Sequence, residues 1–564
     1  MSTSFTTLTN TKTTFNNSLT KSFIDLATYD QHEQGMYGGN DAITYFVRKV
    51  VKATWFAKGI AQLTKGSTVT NWGSQQDIDF TISRAGDYLL NSWLRISLPS
   101  VSIGSNAVNV VSGGVSANIR WTRNLAHNLF SDYQMTFNDL QVDIKKGSHF
   151  YDFFTAFTVP ASKRVGYDNM IGNVNALINP LADALDPDTP GLVRLGQLQA
   201  YTLNLPLITP FSRDTGVALP TAALPYNEMK FKFTVRPWSD LLIADSVTAN
   251  VGGTNVNGGQ YTFNANNSLV QIVYDTLQPK TFGASQPAAT FAPSLQLTQQ
   301  NGTSLNSSLN IECFCEYAIV SNQERVRMGS CPRDILIEQS QQVVGTRMNP
   351  GVAPTNQDIR FSYPVKALMF SVENITNLAE HSNYSVGNPV VGLNEQPGTG
   401  APANTSVNRV VLEGYRYDTD PIAEAQLLYE NDIRYELPND YFSLVAPYTN
   451  ATTIPDRTGY HLYNYCLDLA SVDPKGSTNY GKLTNATKRL QPSVDFINAS
   501  QAGTFAAAPN NNVTAGGQGI YFSGAFGAAQ APNTNIANQY QLAIVAVNHN
   551  FVRVSGGALG FPVL

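Results

Sequence analysis

Charge is scarce in this chain. Only 14% of its 564 residues are Asp, Glu, Lys or Arg, against about 25% in an ordinary soluble domain. The 36 basic and 41 acidic residues leave a formal net charge of −5. Neither a basic excess nor a basic stripe is present, which argues against direct nucleic-acid binding. Hydrophobic residues make up 42%, so the low-hydrophobicity, high-charge signature of disorder is missing as well. Cysteine is also rare. Cys313, Cys315, Cys331 and Cys466 form no CxxC pair, so neither a disulfide framework nor a zinc site is expected, as suits a reducing compartment. No run of about 18 apolar residues occurs, so no bilayer-spanning helix is expected. The first twenty residues are a Thr/Asn/Ser tract without an apolar core, and are read as no signal peptide.

What the chain does have is period-2 alternation and turn residues. Met229-Lys-Phe-Lys-Phe-Thr-Val235 places Met229, Phe231, Phe233 and Val235 on one face of a half-buried strand. Leu368–Val372 and Phe551–Val554 read as shorter strands of the same kind. Leu542–Val547 is a continuous apolar run of strand length, the mark of a strand covered on both faces. Cys313 and Cys315 share one face of a strand. Turn dipeptides recur throughout, and long helical patterns are nearly absent. Ser22-Phe-Ile-Asp25 reads as a capping box opening a short helix to about Tyr29, and 322–328 as a further turn or two of helix. Many short strands with few helices predict an all-β chain of sandwiches or barrels.

Several connections exceed hairpin length: 247–308, 385–408 and 498–538, all rich in Asn, Gly, Ala or Pro. Connections this long are usually functional or mobile. A break near Ser330-Cys-Pro332 separates a strand over 312–320 from one opening at Asp334. All five tryptophans lie upstream of it.

A search for chemistry finds no catalytic, cofactor-binding or metal-ligating set. The six histidines, at 32, 127, 149, 381, 461 and 549, show no metal-binding spacing. His549 reads as a hydrogen-bonded histidine at a strand end in preference to a general base, since no nucleophile motif accompanies it. Tyr37-Gly-Gly-Asn40 and Gly556-Gly-Ala-Leu-Gly560 lack phosphate-loop spacing and read as turns. Asp418 and Asp420 read as turn formers, because a hard-cation site needs six or more oxygens. Lys145-Lys146 reads as a solvated strand end. Eleven N-x-[ST] sequons, among them Asn301, Asn374, Asn450 and Asn512, read as chance in so Asn-rich a chain. Low charge with 26 Tyr and 28 Phe suits a surface made for contact with other protein.

Specific strings then add a resemblance. Ser22-Phe-Ile-Asp-Leu-Ala-Thr-Tyr-Asp30, Tyr37-Gly-Gly-Asn-Asp-Ala-Ile-Thr-Tyr-Phe46, Trp121-Thr-Arg-Asn-Leu-Ala-His127 and Gly166-Tyr-Asp-Asn-Met-Ile-Gly-Asn173 occur in the first half. Arg333-Asp-Ile-Leu-Ile-Glu-Gln339, Val365-Lys-Ala-Leu-Met-Phe370, Gly476-Ser-Thr-Asn-Tyr-Gly-Lys-Leu-Thr-Asn485 and Gly557-Ala-Leu-Gly-Phe-Pro-Val-Leu564 occur in the second. In this collinear order the chain resembles the major capsid proteins of nucleocytoplasmic large DNA viruses, of the iridovirus and marseillevirus type.

The resemblance implies a double jelly roll, two tandem eight-stranded antiparallel sandwiches. The expected divisions are an N-terminal arm at 1–40, a first jelly roll at 41–329 with insert 247–308, and a second at 330–564 with insert 498–538. It further implies a non-enzymatic homotrimer forming pseudo-hexagonal capsomers, which tile an icosahedral shell assembled in the host cytoplasm. The expected partners are neighbouring capsomers, penton and minor capsid proteins, with the arm facing those minor proteins or an inner membrane. No cofactor and no direct nucleic-acid contact are implied. The competing reading is a β-sandwich attachment or carbohydrate-binding protein using aromatic loops as sugar platforms.

Overall fold

The computed structural model describes residues 21–40, 42–48, 50–103, 115–138, 140–178, 197–251, 254–257, 261–263, 269–271, 297–298, 304–375, 379–386, 420–500 and 539–561. The chain divides into two compact units, an arm ending at Trp55 and a body beginning at Phe56. In the arm a helical segment covers 21–27, so Ser22 lies inside it and not at its cap. The capping box sits one segment later. Asp30 accepts from the Gln31 amide at 2.8 Å, and Glu33 accepts from the Asp30 amide at 3.1 Å, opening the single turn α1 (Gln31–Gln34).

The body's first eight long sandwich strands are β1 (Phe56–Gln62), β2 (Gln76–Thr81), β3 (Tyr88–Leu98), β4 (Phe130–Phe137), β5 (Leu140–Lys146), β6 (Tyr201–Pro206), β7 (Met229–Val235) and β8 (Asn310–Val320). They form two facing sheets, ordered β1-β8-β3-β6 and β2-β7-β4-β5. Eight more follow: β9 (Arg333–Arg347), β10 (Thr355–Ile359), β11 (Pro364–Asn374), β12 (Ile422–Tyr429), β13 (Asp432–Pro438), β14 (His461–Asn464), β15 (Ala486–Pro492) and β16 (Tyr540–Ser555). Their sheets run β9-β16-β11-β14 and β10-β15-β12-β13. Adding eight to each strand of the first sandwich reproduces the second. The same antiparallel jelly-roll order is therefore built twice. Short accessory strands decorate both, including a pair formed by Val115–Trp121 and Leu242–Val251.

Consecutive strands alternate direction, so the connections β1→β2, β3→β4, β5→β6 and β7→β8 leave from one end of the sandwich. In the first sandwich these span 63–75, 99–129, 147–200 and 236–309, while the opposite end carries only 82–87, 138–139 and 207–228. The second sandwich repeats the asymmetry. Its long connections 375–421 and 493–539 leave from the end corresponding to 99–129 and 236–309. Most of the expected inserts at 247–308 and 498–538 lie outside the described residues.

β7 behaves as its alternation predicts. Met229, Phe231, Phe233 and Val235 are buried, and Phe231 pairs with Phe80 on one side and Met135 on the other. Cys313 and Cys315 both point into the core from β8. In β16 the residues from Leu542 to Asn550 are all buried, in line with the uninterrupted apolar run. β11 departs from expectation. Instead of alternating around Leu368–Val372 it is buried on both faces from Val365 onward. Leu368, Phe370 and Val372 fill the second sandwich's own core, while Ala367 and Met369 join the core of the first.

Four further helices frame the junction of the sandwiches: α2 (Leu125–Asn128), α3 (His149–Thr158), α4 (Ala161–Ile171) and α5 (Asn322–Ser330). The last answers to the helical turn read at 322–328. Helices are few and short among the described residues, as expected, and α3 and α4 are two that the sequence reading does not place. α3 is buried on every side except at Thr158, so it lacks the polar face that marks a surface helix. Its aromatic spacing, Phe150, Phe153, Phe154 and Phe157, is nonetheless helical. α4 follows Pro160 and stops at Gly172, whose φ of +81° closes the helix. A Cβ there would lie 2.6 Å from Leu203 Cδ2.

Candidate functional site: the seam between the sandwiches

Among the described residues no group of three or more His, Cys, Asp or Glu is placed to hold a metal ion, and no helix is long and apolar enough to cross a membrane. All four cysteines are free thiols, with Cys331 alone exposed. The polar chemistry of the body gathers instead where the two sandwiches meet. The outer face of β9-β16-β11-β14 lies against the first sandwich, with α3 touching β5 on one side and β11 and β16 on the other.

Asp152 on α3 is the hub at one end of this seam. Its carboxylate accepts from Asn124 Nδ2 at 3.0 Å, His127 Nδ1 at 2.7 Å, Tyr384 OH at 2.8 Å and the Ser382 hydroxyl. The first two donors belong to the first sandwich, the last two to the segment following β11. Burial pushes the Asp152 carboxyl up, but the bonds from His127, Ser382 and Tyr384 outweigh it and hold it below the ordinary carboxylate range. An ionised carboxylate only accepts, so His127 carries its proton on Nδ1. Nε2 then faces the Tyr167 hydroxyl at 2.7 Å. Asp–His–hydroxyl is also the order of a hydrolase relay. Here the carboxylate and imidazole are 2% and 1% exposed, with no room for a substrate, so the chain of bonds holds structure together.

The same segment carries Glu380, whose Oε2 lies 2.6 Å from Arg120 NH2, both side chains fully buried. The His381 amide donates to Thr122 Oγ1 at 3.1 Å, and its Nε2 lies 3.1 Å from the Asp240 carbonyl. Burial, with Arg236 nearby, drives the His381 imidazole well below its usual pKa. Asn128 Nδ2 donates to Ser382 Oγ at 2.8 Å. Residues 379–386 thus plug into the first sandwich through both side chains and backbone.

Glu338 on β9 is the second hub. It bridges Lys366 of its own sheet at 2.6 Å and Arg213 of the first sandwich at 2.9 Å. Lys366 also donates to the carbonyls of Leu469 and Ser471, and Arg213 lies 4.4 Å over the Phe154 ring. Beside it, β5 would be a free sheet edge. Gln339 donates to the Val142 carbonyl, and the Lys146 amide donates to Gln342 Oε1 at 3.3 Å, so β9 side chains cover that edge.

Several residues singled out by sequence stand differently in space. Lys145 is not a solvated strand end: it is 5% exposed, pairs with Asp143 and donates to the Ile208 carbonyl at 2.7 Å. His549 is neither at a strand end nor hydrogen-bonded; it sits within β16 opposite Glu338, buried, with both ring nitrogens lacking a partner. Asp420 meets His461 at 3.0 Å and caps the Ile422 amide, while Asp418 lies outside the described residues. Asn374 is fully buried, which rules out a surface sequon there. Asn301 and Asn512 lie outside the described residues.

Among the described residues the geometry is that of two sandwiches joined through buried polar hubs. Residues 44–274 match the family model described as major capsid protein N-terminus, and residues 324–560 match that of the large eukaryotic DNA virus major capsid protein. The chain belongs to the major capsid proteins of large eukaryotic DNA viruses. This capsid protein is 41% identical over 549 residues to the major capsid protein of Costelytra zealandica iridescent virus, covering 97% of this chain and 98% of that one. It is 42% identical over 549 residues to that of Invertebrate iridescent virus 6, with the same coverage. The Rana tigrina ranavirus protein is 34% identical over 548 residues, 97% of this chain and 98% of that one. In structure it resembles VP54 of PBCV-1, with a TM-score of 0.60 and 20% identity, covering 92% of this chain and all of that one. The Faustovirus major capsid protein follows at 0.55 and 13%, covering 91% and 93%. These neighbours are double jelly rolls, and so is the capsid protein. It is a structural component of the virion shell and not an enzyme.

Proposed function

We propose that the capsid protein works as a homotrimer whose six sandwiches form a pseudo-hexagonal capsomer, and that capsomers tile an icosahedral shell. The observation that carries this reading is the duplicated strand order fused through a buried seam. A chain presenting two like sandwiches side by side in one unit supplies, in three copies, six near-equivalent blocks around an axis. Of the expected division at 41–329 and 330–564, the boundary at 330 agrees with the repeat, which passes from β8 to β9 between Val320 and Arg333, whereas the first sandwich opens at Phe56 and residues 41–55 go with the arm. The long connections leave both sandwiches at corresponding ends, which supports an outer crown built from the inserts at 247–308 and 498–538. The arm at 1–40 is assigned to the inner side of the shell, beside penton and minor capsid proteins and an internal membrane. Assembly is placed in the host cytoplasm, and direct genome contact is not part of the reading.

Sedimentation of the purified full chain tests it. The expected species is a compact particle of about three times 61.3 kDa with hexagonal outline in negative stain. A stable monomer that binds glycans would overturn the proposal and favour an attachment protein. Deleting residues 1–20 should leave trimers intact and prevent particles from closing; loss of the trimer would show the arm to be misassigned.

A further inference from the structure

Glu338 faces more positive charge than it can neutralise. Its two oxygens hold Lys366 at 2.6 Å and Arg213 at 2.9 Å, and a further titratable group stands beside it. His549 lies directly opposite Glu338 in the β9–β16 ladder, 6% exposed, with neither ring nitrogen bonded. Every element packed around this point contributes. β9 supplies Glu338 and β11 supplies Lys366. The connection after β14 supplies the Leu469 and Ser471 carbonyls and Cys466, whose thiol burial pushes up and so keeps neutral. The first sandwich supplies Arg213, together with Asp143 and Lys145, which pair with each other and line the same small cavity as Arg213 and Glu338. Glu338 and Asp143 thus stand against Lys366, Arg213 and Lys145, and positive charge is already in excess.

The two cations on Glu338 are held unequally. Lys366 has two carbonyl acceptors besides the carboxylate, so it stays in place if the carboxylate turns elsewhere. Among the described residues Glu338 is the only acidic partner of Arg213. The guanidinium lies over the Phe154 ring, leaves NH2 unbonded, and belongs to a side chain 14% exposed. A neutral imidazole beside Glu338 disturbs neither cation. A protonated one has two N–H donors and no acceptor, and an unpaired buried charge is costly. Glu338, its cross-strand neighbour, is the carboxylate it can turn to. Arg213, which can retreat into water, is then the cation displaced.

We infer that Glu338, Arg213 and His549 form an acid-released clasp: a proton on His549 draws Glu338 away from Arg213 and frees residues 207–217 of the first sandwich from β9. The clasp is shut at neutral pH. Burial holds the imidazole below its ordinary 6.5, with Glu338 opposing and Lys366 adding to the effect, so the proton arrives only as pH falls below that value. Two neighbouring ties, Arg333 to the Gly216 carbonyl at 2.8 Å and the Leu559 amide to Asn227 Oδ1 at 3.0 Å, use neutral acceptors that do not titrate. They limit the release to a local one. The hub at the other end of the seam behaves differently. The bonds to Asp152 hold its carboxyl below the ordinary range despite burial, and His381 is driven further down than His549. Mild acid therefore loosens one end of the seam and leaves the other fixed.

Amide hydrogen exchange of the full-length chain at about pH 7.5 and 5.5, corrected for the intrinsic effect of pH on exchange, tests the clasp. In the wild type, peptides covering 207–217 should exchange faster in acid, by up to about tenfold for each pKa unit by which the imidazole is displaced. Peptides covering 379–386 should not change. His549→Gln should keep 207–217 protected at both pH values. Arg213→Gln should leave the segment fast at both, because its tie is gone. An unchanged wild type overturns the clasp, and so does an acid response that survives in His549→Gln. Equal acceleration of 207–217 and 379–386 in the wild type also overturns it, since acid would then be loosening the whole seam. The comparison of two segments within the wild type decides the matter even where a substitution impairs folding.

Discussion

The two sheets β1-β8-β3-β6 and β9-β16-β11-β14 share one strand order and have opposite fates. In the first, β3 and β8 alternate between buried and outward residues, and β1 is exposed along nearly its whole length. In the second, β11 and most of β16 are buried on both faces. The difference lies in what covers the outer side, which here is the chain's own first sandwich. That covering is part apolar and part ionic. Ala543, Val545 and Val547 contribute non-directional burial, while Asp152, Glu338 and Glu380 contribute bonds that exist at one orientation only. The ionic part fixes the angle between the sandwiches more than it adds net stability, because desolvation offsets much of the attraction.

The largest loss should follow removal of a hub from the covered side. Asp152→Ala leaves the His127, Ser382 and Tyr384 donors facing a buried gap. It should destabilise the chain by about 3–5 kcal/mol, with urea unfolding splitting into two transitions as the sandwiches uncouple. Met369→Ala, on the covered face of β11, should cost about 2–5 kcal/mol by cavity formation. Phe314→Ala, on the uncovered face of β8, should cost a dilute single chain only about 1 kcal/mol, the worth of its ring pair with Trp93. Equal losses in the two variants would mean the faces are not differently covered.

Most of the fold is legible in the residues themselves. Alternation in β7, the shared face of Cys313 and Cys315, and the apolar run in β16 each report which sides of a strand are dry. α3 is harder to read because burial on all sides leaves it no polar face, and only the 150/153/154/157 spacing of its aromatics marks it as helical. The seam is hidden for a different reason. Glu338 and Arg213, or Arg120 and Glu380, lie far apart along the chain, and no local pattern records that they meet. Lys145 departs from its local reading on the same account: beside Lys146 it looks solvated, but Asp143 and the Ile208 carbonyl take it inside.

Acid should also tell the covered sheet from the open one. Burial pulls the His549 imidazole below its ordinary 6.5, and Lys366 adds to this, with Glu338 opposing. The unfolded chain therefore takes up this proton before the folded one does. Stability is lost as pH falls through about 6.5 towards the folded value. His549→Gln should abolish that part of the pH dependence, worth about tenfold in the unfolding constant for each pKa unit of displacement. Thermal unfolding from pH 7.5 to 5 checks it, and an unchanged slope would show that other groups carry the effect.

The smallest expected effect separates seam from interior. Lys488, inside the second sandwich, donates to Tyr435 OH at 2.8 Å and lies 3.8 Å over the Phe370 ring. Burial drives its ammonium well below the usual lysine range. The folded state therefore resists a proton that the unfolded chain holds until about pH 10.5, and wild-type stability should rise as pH approaches that value. Lys488→Met should raise stability at pH 7 by about 1 kcal/mol and remove the alkaline rise. Denaturant midpoints at pH 7 and 10 decide it.

The sequence alone specifies many of the strands, the buried faces of those whose pattern is clear, such as β7, β8 and β16, and the approximate break between the two halves. Periodicity and turn residues act over a few positions, and a strand's dry faces leave a direct imprint on its own residues. Tertiary structure settles which sheet is covered twice, which charges meet and which equivalent surface stays open. Those outcomes depend on groups brought together across hundreds of residues, and the same local strand pattern serves equally well on either side of the seam.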